Sequence, residues 1–176
     1  MVEVVLLEAD VDGGLVDAVA ELLGAQVRAG AALGWVEPPP RAEIAELIGS
    51  LVAAGPGEAA CAVARDAGEL VGFGYWRRYA RPTHRPHADL EKLAVSPAAG
   101  GRGIGRALLR ALVESARAAG VEQLTLDFRG DNHAAEHLYR SEGFVECGRL
   151  PGFVAPADGT RHDKVLHVKD LRGPTG

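Results

Sequence analysis

Residues 93–106 read Leu-Ala-Val-Ser-Pro-Ala-Ala-Gly-Gly-Arg-Gly-Ile-Gly-Arg, which joins a strand-like apolar run to a helix through a glycine-rich turn. Such a turn can bring the amides of Gly101, Arg102, Gly103, Ile104 and Gly105 together, because residues without a β-carbon let the backbone close on an anion. The N-terminus of the helix that follows favours negative charge by about 0.3–1 kcal/mol. The stretch therefore predicts a sheet-to-helix junction that cradles the phosphates of a cofactor.

Spacing decides against two nucleotide motifs. Gly100 and Gly105 approach the G-x-x-x-x-G-K-S/T phosphate loop, but Arg106 and Ala107 stand where its lysine and hydroxyl belong. Gly101 and Gly103 begin a G-x-G-x-x-G dinucleotide fingerprint, but Arg106 replaces the third glycine and the strand comes late in the chain.

Periodicity and turn residues give the order of elements. Residues 2–8 read as a strand and 11–34 as a helix, which Pro38, Pro39 and Pro40 end; residues 41–54 carry Ile44, Leu47, Ile48 and Leu51 at helical spacing. Residues 59–65 and 70–79 form a hairpin across Asp66-Ala67-Gly68-Glu69, and 89–95 is the next strand. In 103–119 the residues Ile104, Leu108, Leu112 and Ala116, with Leu109 and Val113 beside them, make an apolar stripe suited to lie on a sheet. Strand 121–128, helix 132–141, strand 144–150, a loop through Pro151-Gly152 and Pro156, and strand 160–168 complete the chain. The order β-α-α-β-β-β-α-β-α-β-β is that of an α/β fold with antiparallel hairpins and one central parallel crossing.

Composition bounds the function. A chain of 176 residues has material for one core but not for two of comparable size, which predicts a single domain over 1–170 and a tail at 171–176. No apolar run approaches the ~20 residues of a membrane helix and no secretory leader is readable, so the expectation is a soluble, cytoplasmic protein. Cys61 and Cys147, far apart and without C-x-x-C spacing, suit reduced thiols. A net charge of −5 argues against a general nucleic-acid binder.

Taken with Asn132, Tyr139 and Gly143-Phe144, the glycine turn resembles the cofactor segment of the GNAT superfamily of N-acetyltransferases. Members carry Gln/Arg-x-x-Gly-x-Gly/Ala at the turn, then an asparagine opening a later helix, then a tyrosine two turns on. Here the set is Gly103-Ile104-Gly105, Asn132 and Tyr139, with Gly100 departing from the leading Gln or Arg, so that Arg102 or Arg106 would supply the positive charge. The resemblance implies a mixed, mostly antiparallel sheet with a splayed central parallel pair and helices on both faces. It also implies acetyl-CoA as cosubstrate, with its pantetheine arm paired to backbone groups of Leu93, Ala94 and Val95, and a homodimer as one assembly open to the chain. A segment of Leu150-Pro151-Gly152-Phe153 followed by Asp158-Gly159-Thr160-Arg161-His162 looks like the tail of a subgroup that includes tabtoxin-resistance acetyltransferases, which favours a small-molecule amine acceptor.

Acetyl transfer to an amine needs a group that takes a proton from nitrogen and one that gives a proton to the departing thiolate. Seven residues separate Asn132 from Tyr139, close to two helical turns, so the two share a face. Asn132 also suits a helix N-cap, and Tyr139 is the acid candidate. Asp89 and Glu91 share one face of a strand and Asp127 ends its neighbour, which makes these three the base candidates, Asp89 and Asp127 first. The first two helices, the turn at 35–38 and Tyr75, Trp76 and Tyr79 of the hairpin are expected to shape the acceptor side, although the hairpin aromatics suit the core equally well; His84 and His87 fall in a solvent loop that could also touch substrate.

Two other readings compete. A fold of this kind can hold acyl-CoA without transferring its acyl group. And His133-Ala134-Ala135-Glu136-His137 spells H-x-x-E-H, a zinc-peptidase pattern, although no distant third ligand is readable, so no metal ligands are assigned.

Overall fold

The computed structural model of the protein describes residues 1–8 and 11–173. Its elements run β1 (Val2–Leu6), α1 (Gly13–Arg28), α2 (Arg41–Ala54), β2 (Ala59–Asp66), β3 (Glu69–Arg78), β4 (His87–Val95), α3 (Ile104–Ala118), β5 (Gln123–Arg129), α4 (His133–Ser141), β6 (Val145–Val154) and β7 (His162–Asp170). The strands form one sheet in the order β1-β2-β3-β4-β5-β7-β6, in which β4 and β5 are parallel and every other pair is antiparallel. This is the mixed α/β sheet expected from the sequence.

The faces are set by strand alternation. On β3, Phe73 and Tyr75 join the core beneath α1 and α2, with Val19, Leu23, Ile44 and Ile48. The alternate residue Trp76 joins the core beneath α3, with Leu108, Leu112, Leu124 and Leu126. Trp76 thus lies in the core, on the face away from the acceptor side, its indole donating to Ser115 Oγ at 2.7 Å. Gly72 and Gly74 on the same face as Trp76 let α3 approach: a β-carbon on Gly72 would stand 2.6 Å from Leu108 Cδ1, and one on Gly74 3.2 Å from Leu112 Cδ1.

Several boundaries differ from the sequence reading. α1 stops at Arg28 rather than continuing to residue 34, because Gly30 turns left-handed at φ +86° and the amide of Ala31 closes back on Gln26 O at 2.9 Å. Residues 29–40 are therefore a loop. His87 belongs to β4, not to a solvent loop, and its Nδ1 is buried without a partner. β6 runs on through Pro151 and Gly152 to Val154; it is the edge strand, where a missing amide on the outer side costs no ladder bond. Of the tail, Leu171 is buried and bonded to Glu122 O, while residues 174–176 lie outside the described residues.

Candidate active site

The site begins where the sheet comes apart. β4 and β5 pair only from His87↔Gln123 to Leu90↔Leu126, although β4 continues to Val95 and β5 to Arg129. The separation coincides with a bulge. Between Phe73 and Tyr75 of β3 the opposing strand uses one residue more, from Ala94 to Glu91, and Lys92 takes up the excess with a left-handed φ of +54°. Beyond the bulge, Ser96 N bonds Val71 O on β3, and alternation turns the backbone groups of Ala94 the same way. Those of Leu93 and Val95 face the gap, where Gln26 Nε2 of α1 donates to Val95 O at 2.5 Å.

The gap is a cleft of about 530 Å³, lined on one wall by Glu91, Leu93, Ala94 and Val95 and on the other by Asp127, Phe128, Asn132 and Tyr139. Seven of the residues singled out from the sequence are thus brought together. Asp89 sits one step behind the lining, and the glycine turn lies past the Val95 end.

Gly101 and Gly103 have φ of +74° and +78°, and a β-carbon on either would meet nothing within 4 Å. Glycine is required there by backbone conformation, and the space beside it is open. Gly105 is different: it lies inside α3, where a β-carbon would make ordinary contacts with Leu138 and Val95. Among the described residues, the amides of residues 101–106 find no acceptor, and the first to do so is Ala107, on Gly103 O at 3.0 Å. Six amides without an acceptor at the start of a helix are the kind of group that favours negative charge. Arg102 is ion-paired with Asp66 at 2.6 Å and Arg106 with Glu142 at 3.1 Å, so both candidate stand-ins for the missing Gln or Arg are engaged with carboxylates.

Asn132 caps α4, its Oδ1 accepting from Ala135 N at 3.1 Å, and this fixes the helix that carries Tyr139. Tyr139 is buried among Phe128 and Phe144, at ring separations of 5.5 and 5.9 Å, yet lines the cleft. Burial, with the charge of Asp127 adding, pushes its phenol above the ordinary value, so it holds its proton at neutral pH.

The three carboxylates have three environments. Burial pushes Asp89 up to about 6, against a hydrogen bond from Thr125 that favours the charged form; the charges of Glu91 and Asp127 raise it further. Glu91 accepts from Tyr75 OH at 3.0 Å and lies 3.8 Å from Lys92 Nζ. Asp127 is exposed and pairs with Lys164 Nζ at 3.0 Å, not with neighbouring Arg129, which turns to Asp131. Tyr79 bonds Thr125 and so stands behind Asp89, and Tyr75 reaches Glu91, while Trp35 overhangs Lys92.

Lys92, Gln26, Thr125 and Lys164 were not singled out from the sequence. Thr125 and Lys164 carry a readable signal, being on the strand faces that Asp89 and Asp127 define, but Lys92 depends on a bulge and Gln26 on how α1 docks over the gap, neither of which a local pattern announces. His133 and His137 are exposed on α4, and among the described residues no group of three potential ligands fit for a metal ion forms. No helix among the described residues is long and apolar enough to cross a membrane.

A sheet split between two parallel strands, with a free-amide turn at one end and a tyrosine on the opposite wall, defines an acyl-CoA-handling architecture, and the comparisons agree. The chain belongs to the acetyltransferase (GNAT) family, whose profile matches residues 23–144. Over 101 residues it is 42% identical to a mycothiol acetyltransferase of Propionibacterium freudenreichii subsp. shermanii, covering 57% of this chain and 32% of that protein. Over 85 residues it is 45% identical to the N-alpha-acetyltransferase RimI of Mycobacterium tuberculosis, covering 48% and 51%. The matches thus span about a third to a half of these relatives. Among solved structures, a phosphinothricin acetyltransferase of Sinorhizobium meliloti in complex with acetyl-CoA superimposes with a TM-score of 0.83 at 25% identity, over 98% of this chain and 90% of that one. A ribosomal-protein-alanine N-acetyltransferase of Brucella melitensis shares the fold, with a TM-score of 0.82 at 24% identity over 94% and 99%.

Proposed function

We propose that this protein is an acetyl-CoA-dependent N-acetyltransferase that acetylates the primary amine of a small molecule. The observation that carries the reading is the continuity of the gap. Free amides at residues 101–106 suit the pyrophosphate, the inward-facing groups of Leu93 and Val95 suit the amide-bearing arm, and Tyr139 stands on the wall opposite them. Family membership and the acetyl-CoA bound to the Sinorhizobium relative support the cosubstrate.

In this reading the amine nitrogen attacks the thioester carbon, the C–S bond breaks, and the thiolate takes the Tyr139 proton. The proton lost by nitrogen passes to Asp89, Asp127 or Glu91, directly or through water. Asp89, at about 6, is ionised at neutral pH yet basic enough to hold a proton transiently. Asp127 and Glu91, on the cleft walls, suit holding the incoming ammonium.

The test is thiol release from acetyl-CoA with a panel of small primary amines, with mass spectrometry of the product. An amine gaining one acetyl group as one thiol appears supports the reading. CoA binding without transfer to any amine or peptide N-terminus would make the chain an acyl-CoA-binding module, and exclusive use of peptides would overturn the small-molecule acceptor.

A further inference from the structure

The two strands that splay apart each send a cation to the same loop. From β4, Lys92 Nζ donates to Leu33 O at 3.0 Å; from β5, Arg129 donates through one terminal nitrogen to Gly30 O at 2.9 Å. Both acceptors lie in the segment between α1 and α2, whose Ala31, Ala32, Leu33 and Gly34 line the cleft. The segment is thus buckled across the mouth of the gap from both sides.

The Lys92 end is built with care. Its left-handed φ of +54° is one of two among the described non-glycine residues, the other being in the β2–β3 hairpin turn. A residue with a β-carbon is strained in that region and persists there only where its surroundings over-determine it. They do so here: the ammonium, on a side chain only 15% exposed, lies 4.1 Å from the Trp35 ring centre and 3.8 Å from Glu91 Oε2 besides its bond to Leu33. Gly34, at a left-handed φ of +90°, supplies the backbone turn that brings the loop up to Nζ, a β-carbon there standing in ordinary contact at 3.5 Å. Trp35 in turn donates to Glu43 of α2 at 2.7 Å, so the loop is tied to the helical layer as well.

We infer that Lys92 and Arg129 are positioning residues that fix the 30–34 segment as the wall against which the acceptor amine is held. Neither touches the reacting atoms. The inference rests on the transfer reading above and adds to it the residues that build the acceptor side.

The experiment uses Lys92→Met, Arg129→Gln, the double variant and Lys92→Arg, with acetyl-CoA and the best amine of the wild-type panel. Lys92→Met is expected to raise the amine KM about tenfold or more with kcat within about threefold, the pattern of lost ground-state binding. CoA affinity by calorimetry stays at the wild-type value, and Lys92→Arg recovers most of the amine KM. Acrylamide quenching of Trp35 rises in Lys92→Met; Trp76 is fully buried and does not mask the change. The double variant adds less than the sum of the singles, because both hold one segment. Should Lys92→Met lose stability, Trp35→Leu removes the cation's partner without touching β4 and is expected to raise the same KM. An unchanged amine KM in Lys92→Met and Trp35→Leu, or a KM rise matched by lost CoA affinity, overturns the inference while leaving acetyl transfer intact. A wild type that acetylates no amine overturns the transfer reading, and this inference with it.

Discussion

The Thr125 hydroxyl donates to Asp89 Oδ1 at 2.5 Å, and Tyr79 OH lies 2.6 Å from the same hydroxyl oxygen. With one proton on each hydroxyl, the chain of bonds runs from Tyr79 to Thr125 to Asp89, which favours the ionised carboxylate; burial opposes it and prevails. Ionising Asp89 is therefore less favourable folded than unfolded. A rise from 3.8 to about 6 corresponds to about 3 kcal/mol of stability that is present below pH 4 and lost as the pH climbs through 6.

Asp89→Asn keeps the acceptor for Thr125 and removes the charge. It is expected to melt several degrees higher than the wild type at pH 8, with the difference vanishing near pH 4, while turnover at neutral pH falls. Melting curves at the two pH values check the first part, and a pH–rate profile that loses its limb near 6 checks the second. Equal melting temperatures at pH 8 would show that Asp89 carries no ionisation cost.

Tyr139→Phe separates chemistry from packing, because the hydroxyl has no hydrogen-bond partner among the described residues while the ring packs on Phe128 and Phe144. Turnover is expected to fall by about 100- to 10,000-fold, with thermal stability and CoA affinity close to wild type. A variant retaining most of its turnover would reduce Tyr139 to a packing residue.

Gly103→Glu should weaken CoA binding by at least about tenfold, since it places both a side chain and a negative charge at a free-amide turn. Gly120→Glu is the control: Gly120 has a similar φ of +72° and open space around it, but lies at the far end of α3. Matching losses of CoA affinity in the two variants would trace the effect to backbone strain rather than to the pyrophosphate site.

Gly72→Ala tests the docking of α3. A methyl 2.6 Å from Leu108 Cδ1 and 3.2 Å from Ala64 Cβ forces the helix outward, and overpacking of this kind typically costs about 1–3 kcal/mol. A variant as stable as the wild type in urea would show that Leu108 changes rotamer freely.

Where residues act through local pattern, the sequence was legible. The stripe from Ile104 to Ala116 lies on the sheet as its spacing requires, and the Asn132–Tyr139 interval both caps α4 and aims a phenol at the cleft. Where tertiary contacts decide, it was not. Apolar residues 29–34 read as more helix because their character suits burial; the left-handed turn at Gly30 ends α1, and the ties to Lys92 and Arg129 then hold the segment as a loop. Lys92 in β4 looks like an ordinary exposed strand residue, since a bulge is a mismatch between two strands and leaves no mark on one. Trp76 could be core or acceptor wall on sequence alone, because a run of aromatics hides which members alternate inward; the structure places it in the core beneath α3. The ion pairs of Arg102 and Arg106 were equally out of reach, as their partners lie 36 positions away in each case.

Among the described residues, four strand pairs, His87↔Gln123 to Leu90↔Leu126, join the β1–β4 half of the sheet to the β5–β7 half, with the Thr125 hydroxyl bonded across the same short seam. Past that seam the backbone of Leu93 and Val95 keeps β3 on one side but has no strand on the other, where one of its carbonyls borrows the side chain of Gln26. A molecule lying there with amide groups of its own works as a splint, so the protein's rigidity becomes a function of what it holds. By mass action an occupant at about 100 times its Kd adds about 2.7 kcal/mol, comparable to a buried leucine. The melting temperature is then a titration curve for the gap, readable before any acceptor is known.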